Sequence, residues 1–337
     1  MDKVKYIGRY VTKNVNDMEI TFFTFSNSGF EFNVYVKNID YELKIKLLNK
    51  LIAKKSQFIK VYVDNNEYAK FELKDEYFVL PISNLNVGKH IIKVIKVNEI
   101  QYSRLGLIGF ILDNVDILDY QKDNKPNIEF YGDSVTCGFG ILSNAQDDKT
   151  LMEDEDSSVN YASLASNELG FNYSLISYSG ISLTDKLNIS GVPFDIFEIY
   201  DTSDLVDKWD FNNFICDYVV INLGTNDDAA YKALTNEKDK QLTLKSFKNK
   251  YIKFIEVIKN IHKNADIICI LNTMNILHDD LIKVIKHVIN DSNNKFNNSI
   301  HYLEFVPNND GAQSHPSKET HKANANILVN YIKKINK

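Results

Sequence analysis

Four residues have the types and placement that acyl transfer needs. Ser134 lies in "IEFYGDSVTCGFG", Gly180 ends "SLISYSG", Asn226 lies in "YVVINLGTND" and His315 lies in "DGAQSHPS". A serine hydroxyl is a poor nucleophile at neutral pH. It needs a base within hydrogen-bond reach and preorganised donors for the oxyanion that develops. His315 can be the base, and the Ser134 N–H, the Gly180 N–H and the Asn226 amide can be the donors. Each piece also has a plainer reading: Gly-Asp-Ser after a strand is turn and N-cap chemistry, Gly-Thr-Asn-Asp is a polar turn, and a lone His-Pro is a loop.

For the four to converge, the elements that carry them must end at one sheet edge. From residue 123 onward, strand and helix patterns alternate. "IEFYGDS" reads as a strand, "SSVNYASLASNELG" as a helix stopped at Gly170, and "FNYSLISYSG" as a strand. "CDYVVINLGTND" is the continuous apolar run of a parallel strand covered on both faces. Phe247, Tyr251, Phe254, Ile255, Ile258 and Ile261 recur at helical spacing, followed by the strand "ADIICILNT". Leu281, Ile282, Ile285, Val288 and Ile289 mark another helix, "IHYLEFV" another strand, and 318–337 a last amphipathic helix. The pattern predicts a three-layer α/β domain, whose sites belong at the carboxyl ends of its strands.

The first 122 residues read differently. In "FEFNVYVK", Phe30, Phe32, Val34 and Val36 alternate with Glu31, Asn33, Tyr35 and Lys37, the period of a half-buried strand. "FIKVYVDNNEYAKFEL" places two more strands around a hairpin signal at Asp64-Asn65-Asn66. Several short strands without helices between them predict a β-sandwich over residues 1–122 and an α/β domain over 123–337, divided in the polar stretch "QKDNKPN".

Composition removes whole classes of function. With 44% hydrophobic and 25% charged residues, a net charge of -6, and only Arg9 and Arg104 as arginines, the chain lacks a nucleic-acid footprint. No apolar run approaches the length of a membrane span. Cys137, Cys216 and Cys269 are odd in number and far apart, so neither a disulfide framework nor a zinc cluster is expected. Met1 leads into "DKVKYIGRYV" without an apolar run, which predicts cytoplasmic residence, or secretion if a leader has been removed.

The remaining candidates read as structural. His262 and His287 sit in lysine-rich helical runs and read as solvated, while His90 and His301 flank strands. His278 and His321 lie near helix starts, where capping or surface roles are expected. Asp133 reads as a turn stabiliser and Cys137 as a buried filler. Asp227-Asp228 has no partner at metal-ligand spacing, so no metal or cofactor is expected.

In order and context, Gly132-Asp133-Ser134-Val135, Gly180, Gly224-Thr225-Asn226-Asp227 and His315-Pro316 resemble the four blocks of the SGNH (GDSL-like) hydrolase superfamily. "IEFYGDSVTCGFG", "NYASLASNELGFNYSLISYSGISL" and "YVVINLGTND" are similar, more closely, to carbohydrate esterase family 2. The resemblance implies a jelly-roll sandwich before an SGNH domain, a Ser134 nucleophile, a His315 base, and an oxyanion hole from Ser134, Gly180 and Asn226. It also implies metal-free deacetylation of acetylated xylan, glucomannan or their oligosaccharides. Two other activities stand beside it: hydrolysis of another ester, lipid or thioester, and carbohydrate binding without catalysis. The chain departs from the family where the acid belongs, since Ala312 and Gln313 occupy the positions three and two before the histidine. The backbone carbonyl of Gln313 and the carboxylate of Asp310 are the candidates for orienting His315. Ser182 replaces a glycine often found two residues after Gly180.

Overall fold

The computed structural model describes residues 3–53, 56–144, 152–184, 191–271, 273–274 and 277–336. Asn272 and Lys337, which fall in the strand and the last helix of the sequence reading, lie outside them. The chain divides into two compact units, Met1–Asn124 and Lys125–Lys337.

The first unit comprises β1 (Val4–Ile7), β2 (Tyr10–Val15), β3 (Met18–Phe23), β4 (Gly29–Val36), β5 (Glu42–Leu51) and β6 (Gln57–Val63). It continues with β7 (Asn66–Leu73), β8 (Tyr77–Pro81), β9 (Gly88–Lys96), β10 (Ser103–Asp113) and β11 (Val115–Ile117). One antiparallel sheet has the order β1-β4-β9-β6-β7, with β11 beside β4, and the other has the order β2-β3-β10-β5-β8. The alternation in β4 buries Phe30, Phe32, Val34 and Val36. They share one core with Phe23, Ile45, Leu47 and Leu105 of the second sheet, which makes the unit a sandwich. Asp64 and Asn65 have φ of 51° and 67°, the two left-handed positions of a type I′ hairpin turn between β6 and β7. Asn16 and Asp17, with φ of 51° and 63°, turn β2 into β3 in the same way.

The second unit is built on a parallel sheet of β12 (Asn127–Gly132), β13 (Asn172–Ser177), β14 (Tyr218–Asn222), β15 (Asp266–Leu271) and β16 (Ile300–Glu304). Its helices among the described residues are α1 (Ser134–Cys137), α2 (Tyr161–Leu169), α3 (Ile196–Ile199), α4 (Thr225–Ala233), α5 (Glu237–Ile261), α6 (Asp279–Lys295) and α7 (Lys318–Ile335). All five residues of β14 are buried, as expected for a strand covered on both faces. Helix α2 starts later than its sequence pattern predicts. Residues Ser157–Val159 form a 3-10 turn instead, because Asn160 caps α2 by accepting the Ser163 N–H at 2.8 Å. No helix among the described residues is long and apolar enough to cross a membrane.

The strand order β13-β12-β14-β15-β16 locates the crevice. The chain leaves β12 toward one side for β13, then crosses to the other side for β14. Such a switch in direction opens a crevice at the carboxyl ends of the strands beside it. Ser134, Gly180 and Asn226 lie two, three and four residues past the ends of β12, β13 and β14.

Gly132 makes the first of these turns possible. A Cβ on it would stand 2.0 Å from Thr136 Oγ1 and 2.6 Å from Thr136 Cβ, and that threonine is tied by a 2.9 Å hydrogen bond to the buried Tyr161 hydroxyl. Gly132→Ala is therefore expected to destabilise the protein by about 1–3 kcal/mol, read as a lower denaturant midpoint at unchanged slope.

Candidate active site

The Ser134 hydroxyl is not needed as a helix cap. That role belongs to Asp133, whose Oδ1 accepts the Val135 N–H at 3.1 Å. Gly138, left-handed at φ 79°, ends α1 after one turn by donating its N–H to the carbonyls of Ser134 and Val135. Ser134 is thus the first residue of a one-turn helix clamped at both ends. Its Oγ lies 2.8 Å from His315 Nε2.

His315 reaches the serine from the loop between β16 and α7. Its Nδ1 lies 3.1 Å from the Gln313 carbonyl oxygen, which can only accept, so Nδ1 carries the ring proton. Nε2 is then the acceptor, and Ser134 Oγ–H donates to it. Gln313 and Ser314 hold φ of 49° and 63°, two successive non-glycine residues in the left-handed region. Each such residue costs about 1–2 kcal/mol. The short turn Ala312–Ser314 in this conformation directs the Gln313 carbonyl back at the ring. Gly311 closes the loop by donating to the His315 carbonyl at 2.8 Å, and a Cβ there would stand 2.8 Å from that same oxygen. Phe139 packs on the imidazole with ring centroids 4.8 Å apart. Burial lowers the pKa of His315 below its ordinary value of 6.5, with the Gln313 and Ala312 carbonyls pulling the other way.

Asp310 is turned elsewhere. Its carboxylate accepts the Ser317 N–H at 2.9 Å, the Ser317 hydroxyl at 2.6 Å and the Thr320 hydroxyl at 3.0 Å, which ties the loop to the first turn of α7. Burial raises its pKa, but those bonds outweigh it and hold the carboxyl below its ordinary value. Of the two candidates for orienting His315, the structure brings the Gln313 carbonyl to the ring and leaves Asp310 in the helix start.

Gly180 occupies the third position of a turn closed by the Ile181 N–H on the Tyr178 carbonyl at 3.1 Å, with a φ of 85° that suits glycine. Asn226 stands in the first turn of α4, just past Gly224 at φ 120°. One of its amide hydrogens goes to the Ile181 carbonyl at 2.7 Å, which fixes the plane of the amide against the Gly180 turn. Ser182 donates to the Thr184 carbonyl at 2.6 Å and so serves the loop's own fold.

Several residues beneath the site carry no local sequence signal. The buried Tyr161 hydroxyl meets Thr136 Oγ1 at 2.9 Å and accepts from Asn222 Nδ2 at 3.3 Å, while Thr273 donates to Asn222 Oδ1 at 3.1 Å. Asn160 Nδ2 donates to the Thr136 carbonyl at 2.5 Å, which joins α2 to the Ser134 turn. Burial pushes the Asp133 carboxyl up to about 7, opposed by its bonds to Val135 and Thr225 and assisted by the charge of Asp227.

The histidines sort by partner. His278 caps α6, accepting the Asp280 N–H at 3.2 Å, and His287 is solvated. His90 and His301 sit within β9 and β16 rather than beside strands. His321 is buried in α7 and not on the surface. Burial pushes its pKa down to about 3, and its neutral Nδ1 accepts the Tyr161 N–H at 3.1 Å. His262 is 1% exposed, which overturns the solvated reading. It ends α5, and its Nδ1 accepts the Cys216 N–H at 3.2 Å, so the ring proton sits on Nε2, 3.9 Å from Glu129 Oε2. Glu129, Cys216 and His262 lie close enough to suggest a metal cluster, but a ring with one nitrogen accepting a backbone N–H and the other protonated has no lone pair to give. All three cysteines are buried thiols outside any disulfide.

Known families match both units. The family described as Carbohydrate esterase 2 N-terminal matches residues 6–119, and the family described as GDSL-like Lipase/Acylhydrolase matches residues 128–328. The chain is 26% identical over 341 residues to the cellulase/esterase CelE of Acetivibrio thermocellus, covering 98% of this chain and 39% of that protein. It is 26% identical over 190 residues to an acetylxylan esterase/glucomannan deacetylase of Cellvibrio japonicus, covering 55% of this chain and 52% of that one. It thus spans between two fifths and about half of the length of these relatives. A solved family two carbohydrate esterase from Clostridium thermocellum, in complex with cellohexaose, superposes with a TM-score of 0.85 at 25% identity, over 98% of each chain. With its second unit matched almost end to end, the chain belongs to the GDSL-like lipase/acylhydrolase family, and it carries in front an N-terminal domain of the carbohydrate esterase 2 kind.

Proposed function

We propose that the protein is a serine O-acetylesterase that removes acetyl groups from acetylated carbohydrate through an acetyl-enzyme. The observation that carries this reading is the relay from the Gln313 carbonyl through His315 to Ser134 Oγ, with spacings of 3.1 and 2.8 Å. The names of the relatives, a cellulase/esterase and an acetylxylan esterase/glucomannan deacetylase, support the carbohydrate ester as substrate.

In this mechanism His315 Nε2 takes the Ser134 proton as Oγ attacks the acetyl carbonyl. The carbonyl oxygen becomes an oxyanion held by the N–H groups of Ser134 and Gly180 and the free hydrogen of the Asn226 amide. Collapse breaks the bond from the acetyl carbon to the sugar oxygen, which takes the proton from Nε2 and leaves as a hydroxyl. Water then attacks the acetyl-serine with His315 again as base, and acetate leaves. The Gln313 carbonyl does the orienting work of a triad acid without its charge, so it stabilises the transient imidazolium less than a carboxylate does.

The test is a chain-length series of activated esters. Acetate is expected to be the best acyl group, with kcat/KM falling by about tenfold or more at butyrate. A rise toward longer chains assigns the site to lipid or thioester hydrolysis instead, and no turnover of any ester leaves carbohydrate binding.

A further inference from the structure

Asp227 follows the asparagine assigned to the oxyanion hole, and the mechanism above gives it no part. Its surroundings are specific. Asp227 Oδ2 accepts the Leu183 N–H at 3.0 Å, and Oδ1 accepts the Thr184 N–H at 2.9 Å and the Thr184 hydroxyl at 2.7 Å. The carboxylate is 2% exposed. Asn226, one residue earlier, holds the same loop through the Ile181 carbonyl at 2.7 Å. Adjacent side chains on the first turn of α4 therefore grip Ile181, Leu183 and Thr184, the residues that follow Gly180. On its other side the loop is held by the Ile196 N–H, which donates to the Ser182 carbonyl at 3.0 Å.

We propose that Asp227 is a positioning residue for the oxyanion hole: it fixes the 181–184 loop on α4, so that the Gly180 N–H and the Asn226 amide are held toward one point. This deepens the esterase reading and rests on it. The donors come from two backbone N–H groups and a hydroxyl, so the partner must offer acceptors only, and an ionised carboxylate does so. An amide in its place turns an NH2 toward a backbone N–H. Burial pushes Asp227 up to about 6, against the bonds from Leu183 and Thr184, so the ionised form is kept at neutral pH. The third position of a helix, where α4 places Asp227, also favours its charge.

Four measurements test it. Asp227→Asn is expected to lower kcat about 10- to 100-fold with KM changed less than threefold, since the oxyanion exists only in the transition state. Thr184→Val, which removes one bond and leaves the carboxylate, should lower kcat less, and Thr184→Ser should restore it. In a cycle with Asn226→Ala, the double variant should lose at least tenfold less than the product of the single losses, because both act through one site. A role limited to overall stability predicts multiplicative losses and a shared change in KM, and either overturns the proposal. Amide hydrogen exchange reads the clamp without activity. The Leu183 and Thr184 N–H groups should be protected in the wild type and exchange at least tenfold faster in Asp227→Asn. Unchanged exchange refutes the clamp even if the enzyme is active. Faster exchange in Asp227→Asn, together with a wild type that hydrolyses no ester, upholds the clamp and refutes the esterase reading on which its catalytic role depends.

Discussion

Ser134→Ala is expected to lower the rate of hydrolysis of an activated acetate ester by about 10³- to 10⁶-fold, with the protein still folded. The range follows from what serine hydrolases lose without their nucleophile, where binding and the oxyanion donors leave a residual rate over water. The lower bound reflects a base oriented by a neutral carbonyl. Folding should survive because the Ser134 side chain contributes one hydrogen bond, to His315, whereas the turn is held by the Asp133 cap, Gly132 and the Gly138 terminator. Stability should change by less than about 1.5 kcal/mol. Rates measured beside a denaturation curve separate loss of the nucleophile from loss of the fold. Equal rates in the two proteins remove the serine from the mechanism.

His315→Ala is expected to cost about 10³- to 10⁵-fold in kcat/KM, because it removes the base and leaves the Ser134 hydroxyl with its ordinary nucleophilicity. The pH profile of the wild type carries the same residue's signature. Only the neutral ring can take the serine proton, and burial lowers its pKa below 6.5. The rate should therefore rise with pH through a midpoint below 6.5 and level off above it. A midpoint above 6.5 contradicts the orientation by Gln313, since it points to a carboxylate that stabilises the charged ring. Asp310→Asn should leave the midpoint in place, because the Asp310 oxygens are committed to Ser317 and Thr320.

Much of this arrangement is readable in the sequence, and what is not readable has a common cause. The inward face of β4 and the two-residue turn at Asp64-Asn65 follow from alternation and turn chemistry, which are local. The placement of Ser134, Gly180 and Asn226 past three strands follows from the succession of apolar runs and the turn residues after them. The Gln313 carbonyl enters as a candidate only because the carboxylate positions hold Ala312 and Gln313. The conformation that aims it, two left-handed residues at Gln313 and Ser314, has no glycine or asparagine to announce it. His262 and His321 defeat a local reading because their partners, Cys216 and Tyr161, are 46 and 160 residues away. A histidine in a lysine-rich helical run looks solvated until the element packed over it is known. The Tyr161 hydroxyl, shared among Thr136 and Asn222, is likewise a product of strand order and not of spacing.

The most direct measurement of the central claim is acetate released from a panel of acetylated xylo- and manno-oligosaccharides by the wild type and by Ser134→Ala. Release is expected by the wild type from at least one of these sugars, at a rate at least about 10³-fold lower in the variant. No release from any of them, or equal release by the two proteins, would contradict it.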